Sequence, residues 1–185
     1  MLYVLAGAAA VLAIVFGVLY NQLIARRQLV NNGWADIDVQ LKRRADLAPQ
    51  LVAVVQGYAA HERQLFADVA ETRTQALAAG DDPARRGPLE GEFAKPIGKL
   101  IAVAEGYPEL KASQNFLELQ NALADTENKI EMARRFYNGA VRELNTAVQT
   151  IPSNLVAGLA GVGTRSFFEA AAADAATPHV TLADP

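Results

Sequence analysis

From Leu2 to Ala25 the chain carries no charged side chain, and Leu2 to Tyr20 is almost wholly apolar. A helix of about 20 residues rises about 30 Å, roughly one hydrocarbon core. After Tyr20 the pattern becomes amphipathic, with Leu23, Val30, Trp34, Ile37 and Leu41 at helical steps. No breaker intervenes, so the apolar segment and the first amphipathic helix are expected to form one rod. That rod is expected to end near Asp46, an N-cap for a second helix with Pro49 in its first turn. Helix two then carries Leu51, Val55, Tyr58, Leu65, Val69 and Ala76 over roughly 33 residues, up to a loop at Gly80–Pro88. A third helix, Leu89 to Gly106, has an apolar face of Phe93, Ile97, Leu100, Ile101 and Ala104, with Pro96 expected to kink it. The fourth starts at a Ser113 N-cap and has the longest stripe: Phe116, Leu119, Leu123, Ile130, Ala133, Tyr137, Val141, Leu144 and Val148. Ile151-Pro152 ends it.

This pattern predicts an all-α chain: a single N-terminal transmembrane helix continuing into an antiparallel, up-down-up-down four-helix bundle. The expected divisions are a transmembrane anchor at 1–22, a bundle at 23–151, and a Gly/Ala-rich apolar C-terminal tail at 152–185, partly disordered. In that tail the apolar run Leu155–Gly163 is too short to span a bilayer, and its Gly-x-x-Gly spacing follows a helix end rather than a strand. It is therefore read as flexible tail, not as a nucleotide loop. The up-down topology would bring the 80–88 loop and the post-Pro152 segment to the membrane-proximal end. Arg85, Arg86 and Arg165 are then candidates for headgroup contact, with Phe167 and Phe168 at the interface.

A cleaved leader is the competing reading of the N-terminus. Against it, no basic residue precedes the run, and the Ala-x-Ala at Ala8–Ala10 lies inside it. Arg26 and Arg27, then Lys42, Arg43 and Arg44, follow the segment, so the positive-inside rule places the N-terminus outside and the bundle in the cytoplasm. Ala9, Ala13 and Gly17 recur every fourth position, a spacing that lets membrane helices approach and makes them candidates for self-association. The net charge of −3, mixed in sign, gives no field for nucleic acid. Without cysteine, the chain has no disulfide, thiolate metal site or thiol nucleophile.

The candidate chemistry is thin. His61-Glu62 opens a zinc-protease pattern, but position 65 is Leu where a second histidine is needed, which leaves His61 as a packing or hydrogen-bonding residue of helix two. Asp36 and Asp38 are two apart and cannot share a helical face; they stand four before Gln40 and Lys42. Lys42-Arg43-Arg44 reads as a solvated helix end favoured by the helix dipole. Asp38, Gln40, Glu127, Asn128, Asn138 and Asn145 are candidates for an interhelical polar network that fixes register. No catalytic, cofactor-binding or metal residue is assigned, and no cofactor is expected.

Tyr20-Asn21-x-Leu23, Trp34–Arg44, Asp46-Leu47-x-Pro49 and Gly57-Tyr58-Ala59-x-His61-Glu62 resemble the LemA family. So do Ala102–Glu105 with Tyr107-Pro108, Leu110–Ala112, Asn115-Phe116, Leu119-Gln120, Thr126-Glu127, Ala133–Asn138, Asn145 and Pro152–Ala157. The resemblance implies an anchored four-helix protein of the bacterial inner membrane with no settled activity, one branch being associated with magnetosome membrane formation. Pro96 and Ser113 depart from the family pattern. The expected function is a self-associating, non-enzymatic scaffold; the rival is a lipid-organising or membrane-remodelling protein. The expected partners are the bilayer, further copies of the chain and a protein not identifiable from sequence, without nucleic acid.

Overall fold

The computed structural model describes residues 1–169. The disorder expected toward the C-terminus falls, beyond Glu169, outside the described residues. Among the described residues six helices follow in order: α1 (Leu2–Gln56), α2 (Arg63–Leu77), α3 (Pro83–Ala104), α4 (Pro108–Lys111), α5 (Gln114–Gln149) and α6 (Ser153–Leu159). There is no strand among the described residues. They form two compact units. One contains Met1–Arg44 and Ala122–Phe167; the other contains Ala45–Asn121 and continues from Phe168.

In the first unit α1 and α5 run antiparallel, because partners rise in number on one helix as they fall on the other. Leu23 packs with Ala147, Gly33 lies against Phe136 and Tyr137, and Arg44 meets Glu127. The Trp34 and Tyr137 rings stand 5.6 Å apart at a tilt, a favourable aromatic arrangement. Val30, Ile37 and Leu41 on α1, and Leu123, Ile130, Val141 and Leu144 on α5, are the stripe residues that the sequence assigns to the interior, and all are buried. Burying each such side chain contributes about 1.5–3 kcal/mol before entropy is counted.

The second unit corrects the expected helix boundaries. α1 does not stop at Asp46; it runs through Pro49 to Gln56. Proline has no N–H for the carbonyl four residues back, here Ala45. That carbonyl instead accepts a 2.6 Å hydrogen bond from Arg73 Nε on α2, so the group Pro49 leaves open is satisfied. The expected second helix is split: Leu51 and Val55 are buried on α1, Leu65, Val69 and Ala76 on α2, and Tyr58 is exposed between them. The expected loop at Gly80–Pro88 is also corrected, because α3 starts at Pro83. Asp82 caps it by accepting from Ala84 N at 3.0 Å, and Pro83 occupies the first turn, where no N–H is needed. Phe93, Ile97, Leu100 and Ala104 form its buried face, and α3 stays helical through Pro88 and Pro96.

Candidate membrane-proximal site

The first part of α1 is long and apolar enough to cross a bilayer, with an 18-residue window of mean hydropathy 2.6, none of it buried. Ala9 and Ala13 are exposed on this stretch and Gly17 is partly so. Helix geometry therefore leaves the small-residue positions open, with no protein atom near the space a Cβ on Gly17 would fill.

Where the apolar stretch ends, the chain's C-terminal part packs beside it. Leu23 forms a buried cluster with Ala147, Val156 and Ala157, against which Leu19 and Val148 also pack. This cluster seats α6 at the level of the last apolar turn of α1. Ser153 fixes the start of α6 by donating to Ala147 O at 2.6 Å. A Schellman turn fixes its end: Val162 N donates to Ala157 O, Gly161 N donates to Gly158 O, and Gly161 takes the positive φ of 63° that this turn requires. One side of α6, Val156 and Ala157, is buried, while Ile151, Leu155 and Leu159 are 83%, 68% and 79% exposed. Sequence reading missed these three as a surface. Their spacing by four was the available signal, obscured by glycines that make the segment look unstructured.

The chain then continues as an extended strap along α5. The Asn145 side chain accepts from Arg165 N at 2.8 Å and donates to Arg165 O at 2.9 Å, so one amide clamps both backbone groups. Tyr137 Oη donates to Ser166 O at 2.8 Å. The flexible tail expected at 158–163 is thus ordered, and Asn145 binds the strap rather than a neighbouring helix. A pocket of about 320 Å³ lies here, lined by Arg27, Gly161, Val162, Gly163, Thr164 and Arg165.

The other expected interface residues divide. Arg165 and Phe167 are exposed and Arg85 is exposed on α3. Arg86 and Phe168 are buried, 5% and 3% exposed, so neither is available to a headgroup or an interface. Arg86 instead pairs with Glu90, Nε to Oε1 at 3.2 Å.

Several of the polar positions are ion-paired. Lys42 donates to Asp38 at 2.6 Å, the surface pair expected from their spacing. Lys42-Arg43-Arg44 is not a helix end: Arg44 is buried, its Nη1 2.9 and 3.2 Å from the two Glu127 oxygens. Arg43 stands 3.6 Å from Asp125, which also accepts from Lys129 at 2.7 Å. The Lys129 hydrogen bond, with the charges of Lys129 and Arg43, holds the Asp125 carboxyl below the usual carboxylate range against a smaller opposing effect of desolvation. Gln40 is half-buried, with its side-chain oxygen lacking a partner among the described residues. Asn138 is half-buried on α5 and Asn128 is exposed. His61 is exposed in the α1–α2 connection, not packed in a helix.

A family model described as LemA family matches residues 33–182, most of the chain, and the chain belongs to that family. It is similar to magnetosome protein MamQ 2 of Paramagnetospirillum magneticum, 24% identical over 179 residues that cover 81% of this chain and 64% of the relative. It is also similar to magnetosome protein MamQ of Magnetospirillum gryphiswaldense, 23% identical over 88% of this chain and 68% of the relative. Protein LemA of Metamycoplasma hominis is 24% identical over 74% of this chain and 63% of its own length. The chain thus spans a little under two thirds of the first MamQ relative.

Proposed function

We propose that this LemA-family protein is a membrane-anchored, non-catalytic helical scaffold that self-associates, its packed helices forming a four-helix bundle. In this reading α1 crosses the bacterial inner membrane with its N-terminus outside, and the bundle stands in the cytoplasm to receive a protein partner. One observation carries it: α1 is unbroken from Leu2 to Gln56, so an exposed apolar span continues directly into a helix packed along its whole length. A rigid joint of this kind fixes how a surface is presented above a bilayer, which a flexible linker would not do. Arg26 and Arg27, just past the span, support the orientation. The open small-residue positions support association within the membrane. Relatives named as magnetosome proteins are consistent with work at a membrane. Light scattering on the full chain in mild detergent is expected to give a defined multiple of 19.8 kDa. Replacing Ala9, Ala13 and Gly17 by Leu should lower that multiple; a wild-type monomer would remove the scaffold reading.

A second reading, a lipid-organising or membrane-remodelling protein, is favoured by Ile151, Leu155 and Leu159, exposed beside the end of the span. Vesicles reconstituted with the full chain should then differ in diameter or shape from protein-free vesicles in electron micrographs. Leu155→Ser/Leu159→Ser should return them to the protein-free form. Vesicles unaltered by the wild-type chain exclude this reading.

A further inference from the structure

We infer that the pocket bounded by Arg27 and Arg165 binds the phosphate of an anionic lipid, whose acyl chains lie along Leu155 and Leu159. The inference rests on the membrane-anchored reading above and gives the anchored end a specific ligand. Its first support is the donor set. Arg27 on α1 and Arg165 on the strap line one pocket without an acidic residue. Neither guanidinium has a carboxylate partner among the described residues, whereas Arg43, Arg44, Arg73 and Arg86 each have one. Two unneutralised guanidinium groups in one concavity repel each other unless an anion lies between them.

The second support is the backbone. Residues Gly161, Val162 and Arg165 use their N–H groups in the Schellman turn and the Asn145 clamp. The N–H groups of Gly163 and Thr164, in the same pocket wall, make no hydrogen bond among the described residues. Consecutive free amides beside arginine side chains are the usual elements of a phosphate site. The two-sided grip of Asn145 on Arg165 holds this backbone in place before any ligand arrives.

The third support selects a lipid over a soluble phosphate. Arg27 lies seven residues past Tyr20, about 10 Å of rise beyond the span, at headgroup depth for a side chain of its length. Leu159, only two residues before Gly161, is 79% exposed, and Leu155 shares its side of α6. A ligand bridging both features needs an anionic head and an apolar tail.

Native mass spectrometry of the full chain in neutral detergent would test this with phosphatidylglycerol, phosphatidylcholine and inorganic phosphate as the added probes. Phosphatidylglycerol is expected to be retained at one per chain and at least tenfold more strongly than phosphatidylcholine. Arg27→Gln/Arg165→Gln should abolish that preference with helix content unaltered, because neither side chain packs in the interior. Arg27→Lys/Arg165→Lys should keep part of it. Leu155→Ser/Leu159→Ser should weaken phosphatidylglycerol without affecting inorganic phosphate. Arginine-dependent binding of inorganic phosphate with no gain for the lipid would overturn the lipid assignment and leave a soluble phosphate compound as the ligand. Retention of phosphatidylglycerol by the Gln variant equal to wild type would overturn the site itself. The scaffold reading stands or falls separately on the oligomer mass, so an intact oligomer lacking the lipid preference separates the two failures.

Discussion

Glu90→Ala should cost the full chain about 3–5 kcal/mol, the largest loss we expect from any single substitution outside the apolar core. Glu90 and Arg86 lie one turn apart on α3, with Nε to Oε1 at 3.2 Å and each side chain only 6% exposed. Each was taken out of water on folding, and the attraction of the pair offsets that desolvation. Truncating Glu90 removes the facing carboxylate while the guanidinium stays buried on the next turn, so the desolvation cost of Arg86 persists without the part of its compensation that this ion pair supplies. Against a total stability of about 5–15 kcal/mol for a domain, this is a large fraction. Chemical denaturation in detergent, followed by helix dichroism, should show the midpoint fall. Arg86→Met/Glu90→Leu should lose much less, since apolar groups of similar volume avoid desolvation altogether. A midpoint for Glu90→Ala within error of wild type would mean that the Arg86–Glu90 pair does not carry the compensation for burying Arg86.

The sequence made the buried faces legible and the helix ends much less so. Val30, Ile37, Leu41, Val141 and Leu144 follow from spacing alone, since a helical period needs no knowledge of where the helix stops. Proline misled the boundaries. Pro49 and Pro88 suggest boundaries in the sequence, yet α1 and α3 are helical through both. At Pro49 the reason is tertiary: Arg73, 28 positions away, occupies the carbonyl that the missing N–H leaves open. Local propensity has no means of counting such a partner. Conversely, Asp82-Pro83 is a strong helix start, but it sits in a run of turn-forming residues that masks it.

The candidate site shows the same division. Arg165 and Phe167 stand exposed, but Arg86 and Phe168 turned out to be interior. A buried arginine needs a partner, and Glu90 one turn on was visible in the sequence; burial of α3 on that side was not. The pocket depends on Asn145 and Tyr137 gripping residues 20 and 29 positions later, pairings with no periodic signature. Glycine-rich composition made that stretch look loose, whereas Gly161 is there to close a turn and the strap is hydrogen-bonded to α5.

Gly87→Ala is the second decisive substitution, because two effects of opposite sign meet at one position. Gly87 is buried within α3, where alanine is favoured over glycine by about 0.8–1.0 kcal/mol on propensity alone. Helical propensity therefore predicts a stabilised protein. Yet a Cβ there would meet the Glu169 carbonyl oxygen, with the carbonyl carbon at 2.9 Å and the amide nitrogen at 3.2 Å. All three are backbone atoms, so no rotamer change relieves the clash. Either α3 shifts, at an overpacking cost of about 1–3 kcal/mol, or the strap lifts away. Lifting it would put Phe168, 3% exposed, back into water and forfeit about 1.5–3 kcal/mol of burial. Both routes exceed the propensity gain, so the denaturation midpoint is expected to fall. Exchange of the Arg165 amide, held by Asn145, should accelerate if the strap is what gives way, and with it the placement of Arg165 would be lost. A variant stabilised by about 1 kcal/mol, with slow exchange at the Arg165 amide, would show that the Glu169 carbonyl does not press on α3.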